Sequence, residues 1–400
     1  MSLVSWEQKA ASSMWKAGAD KIGAKAERVA LERLPFSAEN VKALQEKAAK
    51  DQLPSVVAKM GNDTLLLSSP DLVTKSRLGR SELPAIAEGS EISVDGALAQ
   101  VLHTDDGFSE IDASAVTVAV LDTGMDTGHE AFKDRVVSPF NAIDGSSDVT
   151  DRVGHGTFVS GIVGGAKEGV APSVKLMPVK VTDDSGNMNP RFVAKGIYHA
   201  VDNGAKVINM SLGGPAPKKL TAEGAAELAE FEKAVKYAQD KNVVLVSVSG
   251  NDGAKNLPYF PSDFAGILDV GAVERNGDSV RRPMYSNYGD RLDLVAPGKA
   301  QAAVPGGGMR EESGTSVSAP HVAGAAALVF AKHPDWNAEQ VSEHLKRAVN
   351  DIGAPGKDPS FGFGELNLFK AAYGHDLPAV PNAAPQKGLG AWLREKTGLG

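Results

Sequence analysis

The chain has 400 residues, of which 42% are hydrophobic and 23% charged, with a formal net charge of −8 and no cysteine. Without cysteine, disulfides, thiolate catalysis and cysteine-based zinc sites are excluded. The acidic balance and the lack of a long basic run argue against nucleic acid or an anionic membrane as the main partner. The length suits one large α/β unit with an accessory segment.

The first 35 residues mix apolar with charged side chains and contain no continuous apolar run of the kind found in secretory signal peptides. No stretch of the sequence approaches the roughly 20 apolar residues that cross a membrane. A cytoplasmic location is therefore the favoured prediction, and secretion is the alternative if a leader has been removed.

An apolar stripe marks the beginning of the chain. Trp15, Ile22 and Val29 recur every seven residues, which predicts a helix that Pro35 ends. A second helix is expected to follow and to run to about Lys50.

Two apolar runs then predict a hairpin. They are Val56–Met60 and Thr64–Ser68, and a short turn-forming stretch separates them. Together with the helices, the hairpin makes residues 1–90 a small helix-rich N-terminal segment with a hairpin. A polar connection follows it.

From about residue 115, short apolar runs alternate with helical stretches. The predicted strands are Val116–Leu121, Leu176–Val181, Lys206–Met210, Val243–Val248, Ile267–Val273 and Leu292–Val295. Predicted helices between them include Arg191–Asp202 and Ala222–Asp240. This alternation predicts an α/β fold with a mostly parallel central sheet and helices on both faces, in which ligands bind beyond the carboxyl ends of the strands.

Three polar residues lie at the end of a predicted strand or at the start of a predicted helix. Asp122 ends a buried strand, His155 lies between two glycines at the start of a helix, and Ser316 opens an apolar helix. A serine hydroxyl becomes a nucleophile when an imidazole takes its proton, and the imidazole needs a carboxylate on its other nitrogen. The three together predict nucleophilic hydrolysis.

The phrases around these residues resemble the active-site signatures of the subtilisin-like (subtilase) serine proteases, in that family's Asp–His–Ser order. The similarity runs from about Val94 to Tyr373. It implies a serine endopeptidase with an acyl-enzyme on Ser316, His155 as general base and acid, and Asp122 orienting His155. It also implies that Asn251 donates a hydrogen bond in the oxyanion hole.

The same resemblance implies a substrate-binding set. Its members are Ser185, Gly186, Asn187, Ser211, Leu212, Gly213, Gly214, Ser249 and Gly250. The segment Tyr259–Pro261 resembles the floor of the P1 pocket, which holds the substrate side chain before the cleaved bond. Broad specificity with a preference for large apolar P1 residues is the expectation.

Three departures from the family pattern stand out. Phe158 replaces a second histidine, and Val317 replaces a methionine. Only Ala166–Glu168 lie where extracellular relatives have a calcium-binding loop, and three residues cannot wrap an ion that needs six to eight oxygen ligands. No cofactor is therefore expected to be required and no metal ligands are assigned, although Asp183–Asp184 or Asp105–Asp106 could hold calcium weakly or simply be solvated.

The predicted domains are an N-terminal segment (1–90), a catalytic domain (91–375) and a Pro/Ala-rich linker with a short tail (376–400). Protein or peptide substrates are the expected partners. The N-terminal segment is interpreted as a propeptide that inhibits its own chain and is removed by self-processing, with a docking or oligomerisation role as the alternative. Two other functions stay open: a catalytically silent peptide-binding scaffold, and a peptide ligase or esterase using the same triad.

Overall fold

The computed structural model describes residues 30–35, 55–60, 63–68, 111–217, 219–276 and 279–374. The chain divides into two compact units. The first comprises residues 1–106 with 275–280, and the second comprises residues 107–274 with 281–400. The domain boundaries predicted near residues 90 and 375 lie outside the described residues, as does the C-terminal linker and tail.

The described part of the first unit is an antiparallel sheet of strands β1 (Ala30–Pro35), β2 (Ser55–Met60) and β3 (Asp63–Ser68) in the order β1-β3-β2. The predicted hairpin is confirmed, because β2 and β3 pair along their whole length. The predicted helix is wrong over β1, which pairs with β3 from Ala30–Ser68 to Pro35–Asp63. Pairing with the hairpin edge satisfies its backbone groups and overrides the helical periodicity. The other N-terminal helix predictions lie outside the described residues.

The second unit is built on a central sheet. The remaining described strands are β4 (Thr117–Asp122), β5 (Phe140–Asn141), β6 (Lys175–Lys180), β7 (Val207–Met210), β8 (Gly214–Pro215), β9 (Val244–Val248), β10 (Tyr259–Phe260), β11 (Ile267–Asn276), β12 (Ser279–Arg281), β13 (Leu294–Pro297), β14 (Lys299–Ala303), β15 (Met309–Ser313), β16 (Val349–Asn350) and β17 (Glu365–Leu366). Strands β8 and β10 form a separate two-stranded sheet, as do β14 and β15. The order across the sheet is β16-β17-β13-β11-β9-β7-β4-β6-β5. Every neighbouring pair from β5 to β17 is parallel, and β16 is antiparallel.

The helices of this unit are α1 (His155–Gly164), α2 (Pro190–Asp202), α3 (Ala222–Asp240), α4 (Thr315–Lys332), α5 (Ala338–Arg347) and α6 (Leu368–Tyr373). Helices α2 and α3 pack on each other and cover one face of the sheet, while α1 and α4 pack together against its strands. Ala119 and Leu121 of β4 lie in the same buried cluster as Ile197 of α2 and Phe231 of α3. Successive strand residues point to opposite faces, and Val118 and Val120, on the other face, are also buried. Both faces of β4 are therefore covered. The predicted α/β fold is confirmed.

The strand order brings three predicted polar segments to one edge of the sheet. Strand β4 ends at Asp122, β7 ends just before Ser211, and β9 ends just before Ser249. Because these strands are adjacent and parallel, their carboxyl ends lie side by side. This edge is where a parallel α/β sheet binds ligands.

Candidate active site

Asp122 and His155 are in direct contact. His155 Nδ1 lies 2.7 Å from Asp122 Oδ1, and the backbone N–H of Thr123 donates to the same oxygen at 2.8 Å. Asp122 is 1% exposed, whereas 28% of the His155 side chain is accessible. A buried carboxylate on Nδ1 fixes the ring orientation and tautomer, which leaves Nε2 to exchange protons with another group.

The charge around His155 favours its protonated form. Burial alone lowers the pKa of His155, but the negative charge and hydrogen bond of Asp122 outweigh it, and Glu312 and Asp151 add to the effect. Together these effects raise the pKa of His155 to about 9. A neutral imidazole, able to accept a proton, is therefore favoured at alkaline pH.

Ser316 is the second residue of α4, where backbone N–H groups have no partner inside the helix. Ser316 is half-buried. Gly314, the residue that caps the helix, has φ 153°. The backbone carbonyl of Ser316 accepts a hydrogen bond from Ser211 Oγ at 3.0 Å, which ties the end of β7 to this turn. Among the described residues no hydrogen bond joins His155 to Ser316; what relates them is the packing of α1 on α4. Catalytic hydrogen bonds are often long in the absence of substrate.

Asn251 is held next to Ser316 by Thr315. Its Oδ1 accepts from Thr315 N at 3.0 Å and from Thr315 Oγ1 at 2.9 Å, so the amide N–H₂ faces away from Thr315. A Cβ placed on Gly314 would lie 3.6 Å from Asn251 Nδ2 and 3.8 Å from Ser316 N. Glycine at this position therefore leaves the space next to Asn251 Nδ2 and Ser316 N free of side-chain atoms.

Asn287 supports the loop that carries Asn251. Its Nδ2 donates to Ser249 O at 2.8 Å, and its backbone N–H donates to Gly250 O at 2.9 Å. Its Oδ1 accepts from the backbone N–H groups of Asp252 and Ala254, each at 3.0 Å. These contacts satisfy the backbone of an irregular loop and hold it in one conformation.

The predicted P1 segments are brought together. Strand β8 pairs with β10, placing Gly214 opposite Phe260. Gly213 has φ 157°, and a Cβ there would lie 2.3 Å from Phe260 O. A Cβ on Gly250 would lie 2.4 Å from the Tyr259 ring. The segments 211–214, 249–250 and 259–261 thus form one continuous surface, and Leu212 packs against the apolar cluster behind it.

The segment Ser185–Asn187 is a tight exposed turn. Asp183 closes this turn, because its Oδ1 accepts from Ser185 N and Asn187 N, both at 2.9 Å. Gly186 has φ 78°, a left-handed conformation that favours glycine. Within the described part of the chain, the turn makes no hydrogen bond to the other predicted substrate-binding segments.

The neighbouring Asp183 and Asp184 both have protein partners. Asp183 is used by the turn, while Asp184 accepts from Lys180 Nζ at 3.0 Å and from Arg152 Nη1 at 3.2 Å. Lys180 Nζ also donates to Thr123 O at 2.7 Å. These contacts support a structural role for the acidic pair; Asp105–Asp106 lies outside the described residues.

Two of the three departures from the family pattern belong to the same buried cluster. Phe158 and Val317 lie in one small buried cluster with Ile162 and Ala302. Phe158 is 1% exposed and Val317 is 2% exposed. An aromatic ring therefore fills the space between α1 and the start of α4 directly behind His155 and Ser316.

The short connection after α1 is a tight turn. The N–H of Gly165 donates to Gly161 O at 2.8 Å, and the N–H of Gly169 donates to Gly165 O at 2.9 Å. A Cβ on Gly169 would lie 2.3 Å from Gly165 N. The turn closes on its own backbone.

Three residues beside the predicted site were missed from the sequence: Thr315, Asn287 and Asp151. Thr315 lies inside the phrase that begins at Gly314, and Asp151 lies three residues before the phrase that begins at Gly154, so a polar residue at a short distance from Ser316 or His155 was a usable signal. Asn287 lies 36 residues from Asn251 in an irregular segment, and no pattern pointed to it.

Comparison with known proteins shows the family of this chain. The model of the subtilase family matches residues 113–364. Subtilisin Savinase of Lederbergia lenta is 39% identical over 247 residues, covering 60% of this chain and 86% of that protein. An alkaline protease of Shouchella clausii is also 39% identical, covering 60% of each chain.

Solved structures show the same likeness. A cold-adapted subtilisin-like serine proteinase superposes with a TM-score of 0.57 at 30% identity, covering 64% of this chain and 90% of that one. A lanthipeptide protease gives 0.59 at 28% identity, covering 66% and 89%. The chain belongs to the subtilase family, and it is a subtilisin-like serine endopeptidase. In the part of the chain that the structure describes, no helix is long and apolar enough to span a membrane.

Proposed function

We propose that Ser316, His155, Asp122 and Asn251 carry out the peptide-bond hydrolysis of this endopeptidase. The observation that supports it most is the 2.7 Å contact between Asp122 and His155 at the sheet edge where the Ser316 turn also lies. The Thr315 contacts that orient the Asn251 amide add a donor beside the nucleophile.

The chemistry proceeds in two halves. Ser316 Oγ attacks the carbonyl carbon while its proton moves to His155 Nε2, and the carbonyl oxygen becomes an oxyanion that accepts from Asn251 Nδ2 and Ser316 N. The C–N bond then breaks as His155 gives that proton to the leaving amine, which leaves an ester on Ser316. Water attacks the ester and passes a proton to His155. The proton returns to Ser316 as the acid product leaves.

The substrate is an extended peptide. Ser185–Asn187 would lie alongside it as an edge for strand pairing, and the surface formed by Ser211–Gly214 and Ser249–Gly250 would hold the P1 side chain. The Tyr259 ring and the buried Phe260 give this surface an apolar floor. Large apolar P1 residues fit such a floor best. The chemistry requires no cofactor.

The N-terminal segment is proposed to act as an intramolecular inhibitor that is cut from the chain. The support is its position ahead of the catalytic unit and the resemblance of that unit to proteases made as zymogens. The cytoplasmic location stays a prediction, which fractionation of the producing cells would check.

Casein digestion and fluorophosphonate labelling test the triad. We expect wild type to cut casein and to be labelled, and Ser316→Ala to do neither. The matched control is Ser342→Ala in α5, whose hydroxyl donates to its own helix at Ala338 O; it should behave as wild type. Removing the nucleophilic serine of subtilisin itself lowers kcat by about 10⁶-fold, so the assay must be sensitive enough to detect a loss of that size.

The other outcomes separate the remaining functions. An inert wild type, even after limited proteolysis of its N-terminal segment, would establish the silent scaffold. Labelling without casein cleavage, together with ester turnover or transfer to an added amine, would establish an esterase or ligase. Loss of about 90 residues from wild type but not from Ser316→Ala, followed by mass spectrometry, would establish self-processing. Casein cleavage by an intact chain would refute it.

A further inference from the structure

Asp151 is a buried carboxylate four residues before His155, and both of its oxygens are fully used. Oδ1 accepts from Thr123 Oγ1 at 2.8 Å, Gly154 N at 2.7 Å and Val153 N at 3.2 Å. Oδ2 accepts from Thr157 N at 2.8 Å and Thr157 Oγ1 at 2.6 Å. Asp151 is 6% exposed, and a buried charge persists only when it is this well hydrogen-bonded.

The carboxylate remains ionised in this site. Burial by itself raises the pKa of Asp151, but the hydrogen bonds from Thr157, Gly154 and Thr123 outweigh it and lower the pKa. Five donors converge on the two oxygens of this anion, and because such charge-assisted hydrogen bonds are strong, they hold the surrounding backbone in one conformation.

The donors on Oδ1 flank the contact between Asp122 and His155 from both sides. Thr123 follows Asp122 directly, and its N–H donates to Asp122 Oδ1 at 2.8 Å. Gly154 precedes His155 directly and is left-handed, with φ 92°. Asp151 Oδ1 is therefore hydrogen-bonded both to the residue next to Asp122 and to the residue next to His155.

The donors on Oδ2 fix the start of helix α1. The cap residue Gly154 has no side chain to accept a hydrogen bond, and Asp151 supplies that acceptor to the N–H of Thr157. Thr123 Oγ1, which donates to Asp151, also accepts from Gly156 N at 2.9 Å. These hydrogen bonds hold the end of β4 and the start of α1 in a fixed position relative to each other.

We infer that Asp151 is a positioning residue, whose carboxylate fixes the placement of His155 relative to Asp122. The inference rests on the proposed function of that pair. Asp151 does not reach the substrate; it acts through Thr123, Gly154 and Thr157. Small misplacements of a catalytic group can cost about 100-fold in rate, so the effect should appear in kcat.

The test compares Asp151→Asn with Asp148→Asn by kcat and KM on a chromogenic peptide. Asparagine has the shape of aspartate, but its N–H₂ group would face N–H and O–H donors on one side. We expect kcat to fall by about 10- to 100-fold with KM within about twofold. Asp148 is an exposed carboxylate in the same loop that bonds Thr150, and its substitution should leave both constants unchanged.

A second pair removes one donor without changing charge. Thr123→Val deletes the hydroxyl between Asp151 and Gly156, whereas Thr123→Ser retains it. We expect kcat to fall about fivefold to tenfold in Thr123→Val and to recover in Thr123→Ser. If Asp151→Asn does not fold, the two Thr123 variants still test whether Asp151 positions His155. Because both variants keep the Asp151 charge, a fall in kcat in Thr123→Val cannot come from the loss of a charge near His155.

The NMR signal of the His155 Nδ1 proton and the titration of its ring are read in every variant. A loosened Asp122 contact should broaden or shift that signal in both Asp151→Asn and Thr123→Val. Removing the Asp151 charge by itself lowers the pKa of His155, so a change in that pKa counts as loosening only in Thr123→Val, which keeps the charge. Folded Asp151→Asn with wild-type kcat and an unchanged signal would overturn the inference while leaving the triad intact. An inactive wild type would instead refute the proposed function, and the NMR comparison would still decide whether Asp151 positions His155.

Discussion

Asn251 Oδ1 accepts two hydrogen bonds from Thr315, from the backbone N–H at 3.0 Å and from Oγ1 at 2.9 Å. Both donors are on the residue that begins α4, immediately before Ser316. The oxygen of the amide is thus occupied, and only its N–H₂ is available to a substrate oxyanion. The residue that orients the proposed oxyanion donor is therefore part of the same turn as the proposed nucleophile.

Replacing Asn251 with Leu should lower kcat with little change in KM, because the lost hydrogen bond forms only with the oxyanion. The expected loss, about 10²–10³-fold, is the value known for subtilisin itself. Thr315→Val keeps the shape of the side chain but removes one donor to Asn251, and about a fivefold loss of kcat is expected. Thr315→Ser is the control and should retain activity. Steady-state kinetics on a peptide anilide measure all three, and a change confined to KM would contradict the assignment.

The pH dependence follows from the charge around His155. Its pKa of about 9 means that the ring is protonated at neutral pH and must lose that proton before it can accept one from Ser316. We therefore expect kcat/KM to rise about tenfold for each pH unit as the pH increases toward 9, and then to level off. A plateau that begins near pH 7 would contradict this.

Glu312 provides the test of cause, since its negative charge raises the pKa of His155. Glu312→Gln should move the whole pH profile to lower pH. The control is Glu311→Gln on the neighbouring residue, whose carboxylate pairs with Lys299 at 2.7 Å. An equal shift in both variants would show a general charge effect rather than one specific to Glu312.

Phe158 and Val317 should be energetically coupled, because they share one buried cluster. Phe158→His places a polar ring in an apolar site, and Val317→Met overfills it; each is expected to lower the free energy of unfolding by about 1–3 kcal/mol. In the double variant the smaller ring makes room for the longer side chain. Its loss should be at least about 0.5 kcal/mol less than the sum of the single losses. Urea unfolding in a Ser316→Ala background measures the cycle without autolysis, and additive losses would refute the coupling.

The tight Gly165–Gly169 turn predicts that chelators have little effect on stability. A tightly bound calcium ion at 100-fold above its Kd would add about 2.7 kcal/mol, so its removal would lower Tm by several degrees. We expect EDTA to change Tm by less than about 1 °C in the Ser316→Ala variant. A larger fall, reversed by calcium but not by magnesium, would show a tight site elsewhere in the chain.

Much of the fold was predictable because its elements are locally encoded. Helix α3 has the predicted bounds, since Thr221 caps it through Gly224 N and its apolar residues recur at helical spacing. The parallel strands appear as apolar runs because both of their faces are buried. The strand β1 was predicted as helix, because a seven-residue periodicity describes one chain segment and carries no information about a hairpin edge whose residues lie 28 to 38 positions further along the chain (Pro35–Asp63 to Ala30–Ser68).

The sequence by itself determined which residues could perform the chemistry: Asp122, His155 and Ser316 are recognisable by type, by flanking glycines and by their positions after strands or before helices. It also predicted that these positions lie at one edge of the sheet, because ligands bind beyond the carboxyl ends of parallel strands. Only the tertiary structure decided how they are held. Thr315 fixes Asn251 across 64 residues of chain, and Asp151 joins Thr123 to the start of α1. Such contacts depend on side-chain geometry between elements distant in sequence, which no local periodicity or spacing records.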